Sequence, residues 1–174
     1  MFRTAAAVLA AVCAVCAGSA YAMQWHEEPS FVGDWELWLG KSDLDDGPGV
    51  LAQTYDDWRA HNSSNATLAV GCVEGRQWVA LDITQENEII QDSTVPVSYR
   101  FDKNPAVDRE WGVSPGKSSI IIHYGNAAAF PRRMGMADEL YVRAYPSGLP
   151  QKDDRFLLFG VREVVYQVLR LCPD

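Results

Sequence analysis

The chain lacks most of the features that would assign it an activity. After residue 22 no apolar run is long enough to cross a bilayer, so no stable membrane span is predicted. The motif H-E-x-x-H is missing, as is a glycine-rich phosphate loop, and no C-x-x-C follows residue 22, which argues against a metalloprotease of that type and against a redox catalyst. Basic residues are scarce, 15 against 23 acidic ones, and this net charge of −8 disfavours nucleic acid and anionic membranes as partners.

The first 22 residues predict export. Arg3 gives a positive start, Ala5–Gly18 is an apolar run of small residues, and Ala20-Tyr21-Ala22 is an A-x-A cleavage site. This is the layout of a secretory signal peptide, so the sequence predicts a periplasmic or secreted protein cleaved after Ala22. A lipid anchor at Cys13 or Cys16 is the alternative, but a valine precedes each cysteine where a lipoprotein signal has a small residue.

Cleavage leaves two of the four cysteines, Cys72 and Cys172, which are 100 residues apart. In an oxidising compartment a single remaining pair in a small domain is more often bonded than free, so we predict a disulfide between them. Two buried thiols are the alternative, and a reactive nucleophile is a further one.

Short strands separated by turns dominate the rest of the sequence. After the signal peptide we predict a flexible leader over 23–33 and one domain over 34–174. In the last segment Val161, Val164, Val165 and Val168 recur at helical spacing with Cys172, which predicts an amphipathic helix. The expected fold is α+β, a mostly antiparallel sheet that curls or forms a sandwich, with this helix packed on it. Period-two alternation or an apolar run predicts strands at Trp35–Leu39, Val50–Tyr55, Leu68–Val73, Gln77–Ile83, Pro96–Asp102, Ser118–Tyr124, Glu139–Tyr145 and Arg155–Phe159. A weaker helical segment is predicted at Asn126–Ala137, where Pro131 and Gly135 interrupt the pattern.

No metal or cofactor is predicted. The acidic turn containing Asp43, Asp45 and Asp46 has its glycine at the fifth position and no acidic residue at the twelfth, unlike an EF-hand loop. The histidines have no ligand-like spacing with one another or with the cysteines. They are His26, His61 and His123.

One group of residues has the character of a recognition patch. Arg100 and Asp102 fall on one face of a predicted strand, where Asp102 is expected to orient Arg100, and Trp111 follows a short loop. Arg143 lies between two tyrosines on the outward face of another strand. Arginine and aromatic residues are enriched where partners bind. The alternative is a surface ion pair beside an aromatic residue that covers the sheet.

Taken together, these segments resemble a family of exported accessory proteins associated with bacterial type VI secretion, the VasI/TagO type. The resemblance runs in order from Trp35 to Cys172. It rests on Trp35–Trp38 with the turn Ser42–Asp46, on the cysteine hairpin around Leu68–Cys72 and Val79–Ile83, on Tyr99–Asp102 with Trp111, and on Leu140–Arg143 with Phe156–Gly160 and the final helix.

The resemblance implies a periplasmic, non-enzymatic domain with a disulfide. The expected function is that of an accessory or binding protein that supports type VI secretion, with an envelope protein such as a secretion-apparatus component as its partner. The polar insertion Asp56–Ala66 departs from the family pattern. Two alternatives stay open: a cell-envelope hydrolase acting on glycan or peptide, and a binder or inhibitor of an exported enzyme that would use Asp56–Ala66 as its exposed loop.

Overall fold

A computed structural model describes residues 23–26, 28–42, 46–55, 66–73, 75–84, 88–122 and 129–172. The predicted signal peptide lies outside the described residues, as do Asp43, Asp45, His61, His123 and all of the insertion except Ala66. Neither described helix is long and apolar enough to cross a membrane.

The described residues contain eleven strands and two helices. The strands are β1 Met23–Trp25, β2 Ser30–Val32, β3 Trp35–Ser42, β4 Pro48–Tyr55, β5 Thr67–Val73, β6 Arg76–Asp82, β7 Thr94–Phe101, β8 Val107–Val113, β9 Ser119–Ile122, β10 Glu139–Ala144 and β11 Lys152–Leu157. The helices are α1 Ala129–Met134 and α2 Val161–Leu171.

All strands join one antiparallel sheet that does not close into a barrel. Its order is β1-β3-β4-β5-β6-β9-β8-β7-β10-β11, and β2 pairs with β3 beside β1. In this order β7 lies between β8 and β10 and pairs with both. The predicted α+β class, a mostly antiparallel sheet with a C-terminal helix packed on it, is confirmed.

The sheet buries one face along nearly its whole width. Alternate residues of β6 and β10, Val79 and Leu81 with Leu140 and Val142, point into one core that also contains the valines of α2. This alternation follows from the period of two along a strand, and in β10 it leaves Arg143 on the outward face, as predicted. A second cluster lies on the opposite face of β3 to β6 and β9, and consists of Trp38, Leu51, Ala69, Trp78, Ala80 and Ile121.

Helix α2 is fixed to the sheet by a disulfide. The Cys72–Cys172 bond is present as predicted, with the two Cα atoms 5.9 Å apart. Cys72 lies in β5 and Cys172 directly follows α2, and both are fully buried. The Gln77 side chain on β6 donates a hydrogen bond of 2.6 Å to the Cys172 carbonyl, which satisfies an acceptor at the end of the helix.

The weak helical pattern yields the short helix α1. Of the predicted segment, residues 126–128 lie outside the described residues, and α1 covers Ala129–Met134. Pro131 falls in the first turn, where a missing N–H costs little, and its carbonyl accepts a 2.8 Å hydrogen bond from Gly135 just after the helix. Phe130 and Met134 face the core.

Two glycines allow a close backbone contact between the turn after β2 and the residues just before α2. Gly33 follows β2 and Gly160 precedes α2, and both have positive φ, 62° and 89°. The Asp34 N–H donates a 3.1 Å hydrogen bond to the Phe159 carbonyl. A Cβ on Gly160 would overlap the backbone of Val32, so glycine is required here both for its conformation and for the close approach.

Three strands differ from the sequence-based expectation. The segment predicted as a flexible leader contains β1 and β2, which pair with the two ends of β3. Each is three residues long, too short to show a periodic pattern, and each is stabilised by pairing with β3 and by packing of Trp25 or Val32 against a buried cluster. The segment before Trp111, predicted as a loop, continues into β8.

Candidate functional site

The outward face of β7, β10 and β11 carries a row of arginine and aromatic side chains. Arg100 lies directly opposite Tyr141 in the register of β7 and β10, and Tyr141 lies opposite Arg155 in that of β10 and β11. Two residues along, Arg143 lies opposite Asp153. We call Arg100, Tyr141, Arg143, Asp153 and Arg155 the arginine face.

Tyr141 is the centre of the arginine face. The guanidinium carbon of Arg100 lies 4.4 Å from the Tyr141 ring centroid, and that of Arg155 lies 5.5 Å from it. The Tyr141 hydroxyl donates a 2.7 Å hydrogen bond to Glu139, and the Arg155 guanidinium donates another to the same carboxylate. Cation–π contacts of this kind hold a guanidinium flat while its edge stays available to other groups.

Two of the three arginines are neutralised by a carboxylate of this protein. The Arg143 Nε donates a 2.5 Å hydrogen bond to Asp153, and Arg155 pairs with Glu139. Among the described residues, no acceptor hydrogen-bonds the Arg100 guanidinium, which lies against the ring of Tyr141 and interacts electrostatically with Glu139. Arg100 is half-buried.

A groove of about 620 Å³ lies over this face. It is lined by the arginine face together with Ser98, Tyr99, Ala106, Val142, Tyr145 and Asp154. A second depression of about 600 Å³ lies beside it over Asp108 and Glu110, where the Asp108 carboxylate accepts a 2.5 Å hydrogen bond from Ser98. This second depression carries both signs of charge, because Arg109 lies between Asp108 and Glu110 along β8.

The structure brings together two of the four residues that the sequence singled out. Arg100 and Arg143 both face the groove. Asp102 does not orient Arg100 as predicted, because β7 ends at Phe101 and the backbone of Asp102 turns with a φ of 52°. The Asp102 carboxylate instead accepts 2.9 Å hydrogen bonds from the N–H groups of Asp138 and Glu139, which fixes the start of β10.

Trp111 is not available for contact with a partner. It is 4 % exposed and points to the opposite side of the sheet. There it packs against Tyr99 and Phe130, with ring centroids 5.7 and 5.6 Å away. The tryptophan predicted to supply contact area is therefore part of the core.

Sequence reasoning missed the contribution of β11. Asp153 and Arg155 both face outward, and each pairs with a residue of β10. The predicted strand begins at Arg155, which places Asp153 outside it. Alternation of Lys152, Asp154 and Phe156 with Asp153, Arg155 and Leu157 is visible in the sequence, but the charged residues at the inward positions conceal it.

The pKa of Glu139 is lowered, first by the hydrogen bond from Tyr141 and then by the one from Arg155. The same contact raises the pKa of Tyr141, because the phenol donates its hydrogen bond to Glu139.

In the part of the protein that the structure describes, no three histidine, cysteine or acidic side chains are grouped so as to hold a metal ion.

The lowered pKa of Glu139 predicts a pH-dependent contribution to stability. A carboxyl whose folded pKa lies below its unfolded value of 4.5 stabilises the fold above that pH, and the contribution is lost as pH falls through the folded pKa. We expect Glu139→Gln to lower the melting temperature by up to about 4 °C at pH 7, since a partly exposed pair contributes about 1 kcal/mol or less. The difference from wild type should shrink below pH 4.5. Thermal unfolding followed by circular dichroism between acidic and neutral pH checks this, with the exposed Glu110→Gln as the control. A difference that stays constant across this range would contradict the prediction.

Comparison with known proteins gives a fold neighbour. No family model matches the sequence, and no curated protein matches it either. Among solved structures, the protein is similar to the crystal structure of invasion associated protein B from Bartonella henselae, with a TM-score of 0.55 and 13 % sequence identity. The similarity covers 84 % of this chain and 99 % of the other. At this identity the likeness concerns the fold alone.

Proposed function

We propose that this protein is an exported, non-catalytic accessory protein that binds an envelope protein through the arginine face. The observation that carries the proposal is the guanidinium of Arg100, held on the ring of Tyr141 at the floor of an open groove. Residues with this combination of rigid aromatic surface and directional donors are the ones that contribute most at interfaces.

Export is supported by two independent features. The signal-peptide pattern of the first 22 residues directs a protein out of the cytoplasm, and the buried Cys72–Cys172 bond is of the kind that persists in oxidising compartments. The resemblance to the VasI/TagO type makes a component of a type VI secretion apparatus the first partner to test.

The test is crosslinking in the native host, followed by mass spectrometry of the recovered proteins. We expect the wild-type protein to recover an envelope protein, and Arg100→Glu to reduce that recovery by about tenfold or more, because the substitution reverses the charge at the centre of the groove. The melting temperature should fall by no more than about 4 °C, since an exposed cation–π contact contributes about 0.5–1 kcal/mol.

The matched control is Arg170→Glu, which makes the same charge change on an exposed residue of α2. Undiminished recovery with Arg100→Glu, or equal loss with both variants, would contradict binding through the arginine face. Recovery of envelope proteins without any secretion component would remove the type VI part of the proposal. Recovery of cell-wall fragments alone would favour the hydrolase alternative.

A further inference from the structure

The arginine face holds one arginine, Arg100, that hydrogen-bonds no carboxylate among the described residues, although it interacts electrostatically with Glu139. Arg143 and Arg155 each donate to a carboxylate, Asp153 and Glu139 respectively. Arg100 stacks on Tyr141 and, within the described part of the molecule, meets no acceptor. A guanidinium presents five N–H donors in a planar fork, so Arg100 has its hydrogen-bonding edge available to a ligand.

The surroundings of Arg100 select for the shape of that ligand. A planar acceptor with two oxygens matches the fork of the guanidinium, and carboxylate is the common group of that shape in proteins. Tyr141 supports the guanidinium from below, and the side chains of Tyr145 and Ala106 at the edges of the groove are exposed. The carboxylate would therefore be carried beside an apolar or aromatic group that covers these surfaces.

The net charge of the protein limits how acidic the ligand can be. That charge is −8, and the neighbouring depression is lined by two carboxylates, Asp108 and Glu110, against one arginine, Arg109. At physiological salt, charges interact over about 8 Å, so Arg100 acts on a single nearby group and not on an extended polyanion. A segment with one carboxylate among uncharged residues fits this pattern, whereas a polyacidic tract does not.

We propose that the groove binds a carboxylate flanked by apolar residues on an extended segment of the partner protein, with Arg100 as its bidentate donor. This inference rests on the proposed function, since it assigns the chemistry that the arginine face recognises. The carboxylate can belong to an Asp or Glu residue or to the C-terminus of the partner, because the two present the same planar pair of oxygens.

Labelled peptides of equal length test this by fluorescence anisotropy. The first has a single Glu between two Phe residues and an amidated C-terminus, the second replaces Glu with Gln, and the third has Gln with a free C-terminal carboxylate after Phe. We expect the first or the third to bind about tenfold more tightly than the second, in line with the strength of hydrogen bonds between charged groups. The difference between the first and the third tells a side-chain carboxylate from a terminal one.

Variants of the protein assign the effect to Arg100. Arg100→Gln should weaken binding of the carboxylate peptide about tenfold and leave the Gln peptide unchanged, whereas Arg170→Gln should leave both unchanged. Arg100→Lys should restore only part of the affinity, because an ammonium group cannot donate in the planar fork. Equal affinity for all three peptides, no binding by any of them, or the same loss with Arg100→Gln and Arg170→Gln would overturn the inference.

The crosslinking experiment keeps this result separate from the proposed function. In one outcome, Arg100→Glu loses the crosslinked partner but the three peptides bind with equal affinity. The proposed binding role then holds, and the assignment of a carboxylate ligand is wrong. Discrimination among the peptides without any recovered partner would support the carboxylate site and remove the accessory role.

Discussion

Replacing both Cys72 and Cys172 with alanine should lower the free energy of unfolding by about 2–5 kcal/mol. The bond closes a loop across a sequence separation of 100 residues, for which the chain-entropy model gives about 4.7 kcal/mol, and native disulfides of small secreted domains usually contribute in this range. For a domain of this size the melting temperature should fall by about 5–15 °C. The change should be greatest in α2, whose C-terminal end is joined to β5 by this bond.

Thermal unfolding by circular dichroism, with and without reductant, measures the effect. Reductant should lower the melting temperature of the wild-type protein and leave that of the double alanine variant unchanged. Hydrogen exchange should be faster in Val161–Leu171 of the variant, while β7 and β10 keep their protection. A melting temperature within about 2 °C of wild type would mean that the valines of α2 hold the helix without the bond.

Alternation along the sequence was sufficient to predict most strands and the faces they bury. In β10 the residues Leu140, Val142 and Ala144 are buried, and Tyr141 and Arg143 are not. In β6 both faces are buried, yet the two sets remain distinct, because Val79 joins one core and Trp78 the other. Period-two spacing is a local property, so it survives whatever surrounds the strand.

The strands that could not be predicted owe their structure to their neighbours. The strands β1 and β2 have three residues each, and both pair with β3. In β8 the run Asp108, Arg109 and Glu110 is exposed on both sides, so no alternation marks the strand before Trp111. Their partners are near in sequence for β2 and β8, which form hairpins with β3 and β7, but this pairing leaves no periodic pattern in the paired segments themselves.

The candidate site depends on strand order for the same reason. Residue type alone singles out Arg100 and Arg143, but they share a groove because β10 pairs with β7. Nothing in the local pattern of either strand predicts this pairing. Asp102 is the opposite case, in which the local pattern misleads. Period-two spacing predicts that its side chain lies beside Arg100, whereas the turn after Phe101 places the carboxylate at the start of β10.

Trp111→Ala should destabilise the protein strongly without acting on the arginine face. Trp111 is 4 % exposed and completes an aromatic cluster with Tyr99, Phe101 and Phe130. Truncating a buried tryptophan leaves a cavity and removes ring contacts, which costs about 3–5 kcal/mol and lowers the melting temperature by about 6–20 °C. Thermal unfolding measures this directly, and Trp111→Phe, which keeps a ring in the cluster, should lose less than half as much.

Trp111 and Arg100 together separate the two roles that the sequence left open. At a temperature where both variants are folded, Trp111→Phe should keep its recovered partner, whereas Arg100→Glu should lose the partner and keep its stability. The two residues lie on opposite sides of the same sheet, so a change on one side need not alter the other. Loss of partner recovery by Trp111→Phe at an unchanged melting temperature would show that the indole itself meets the partner. The binding surface would then include the aromatic cluster around Phe130, and the arginine face would be its border.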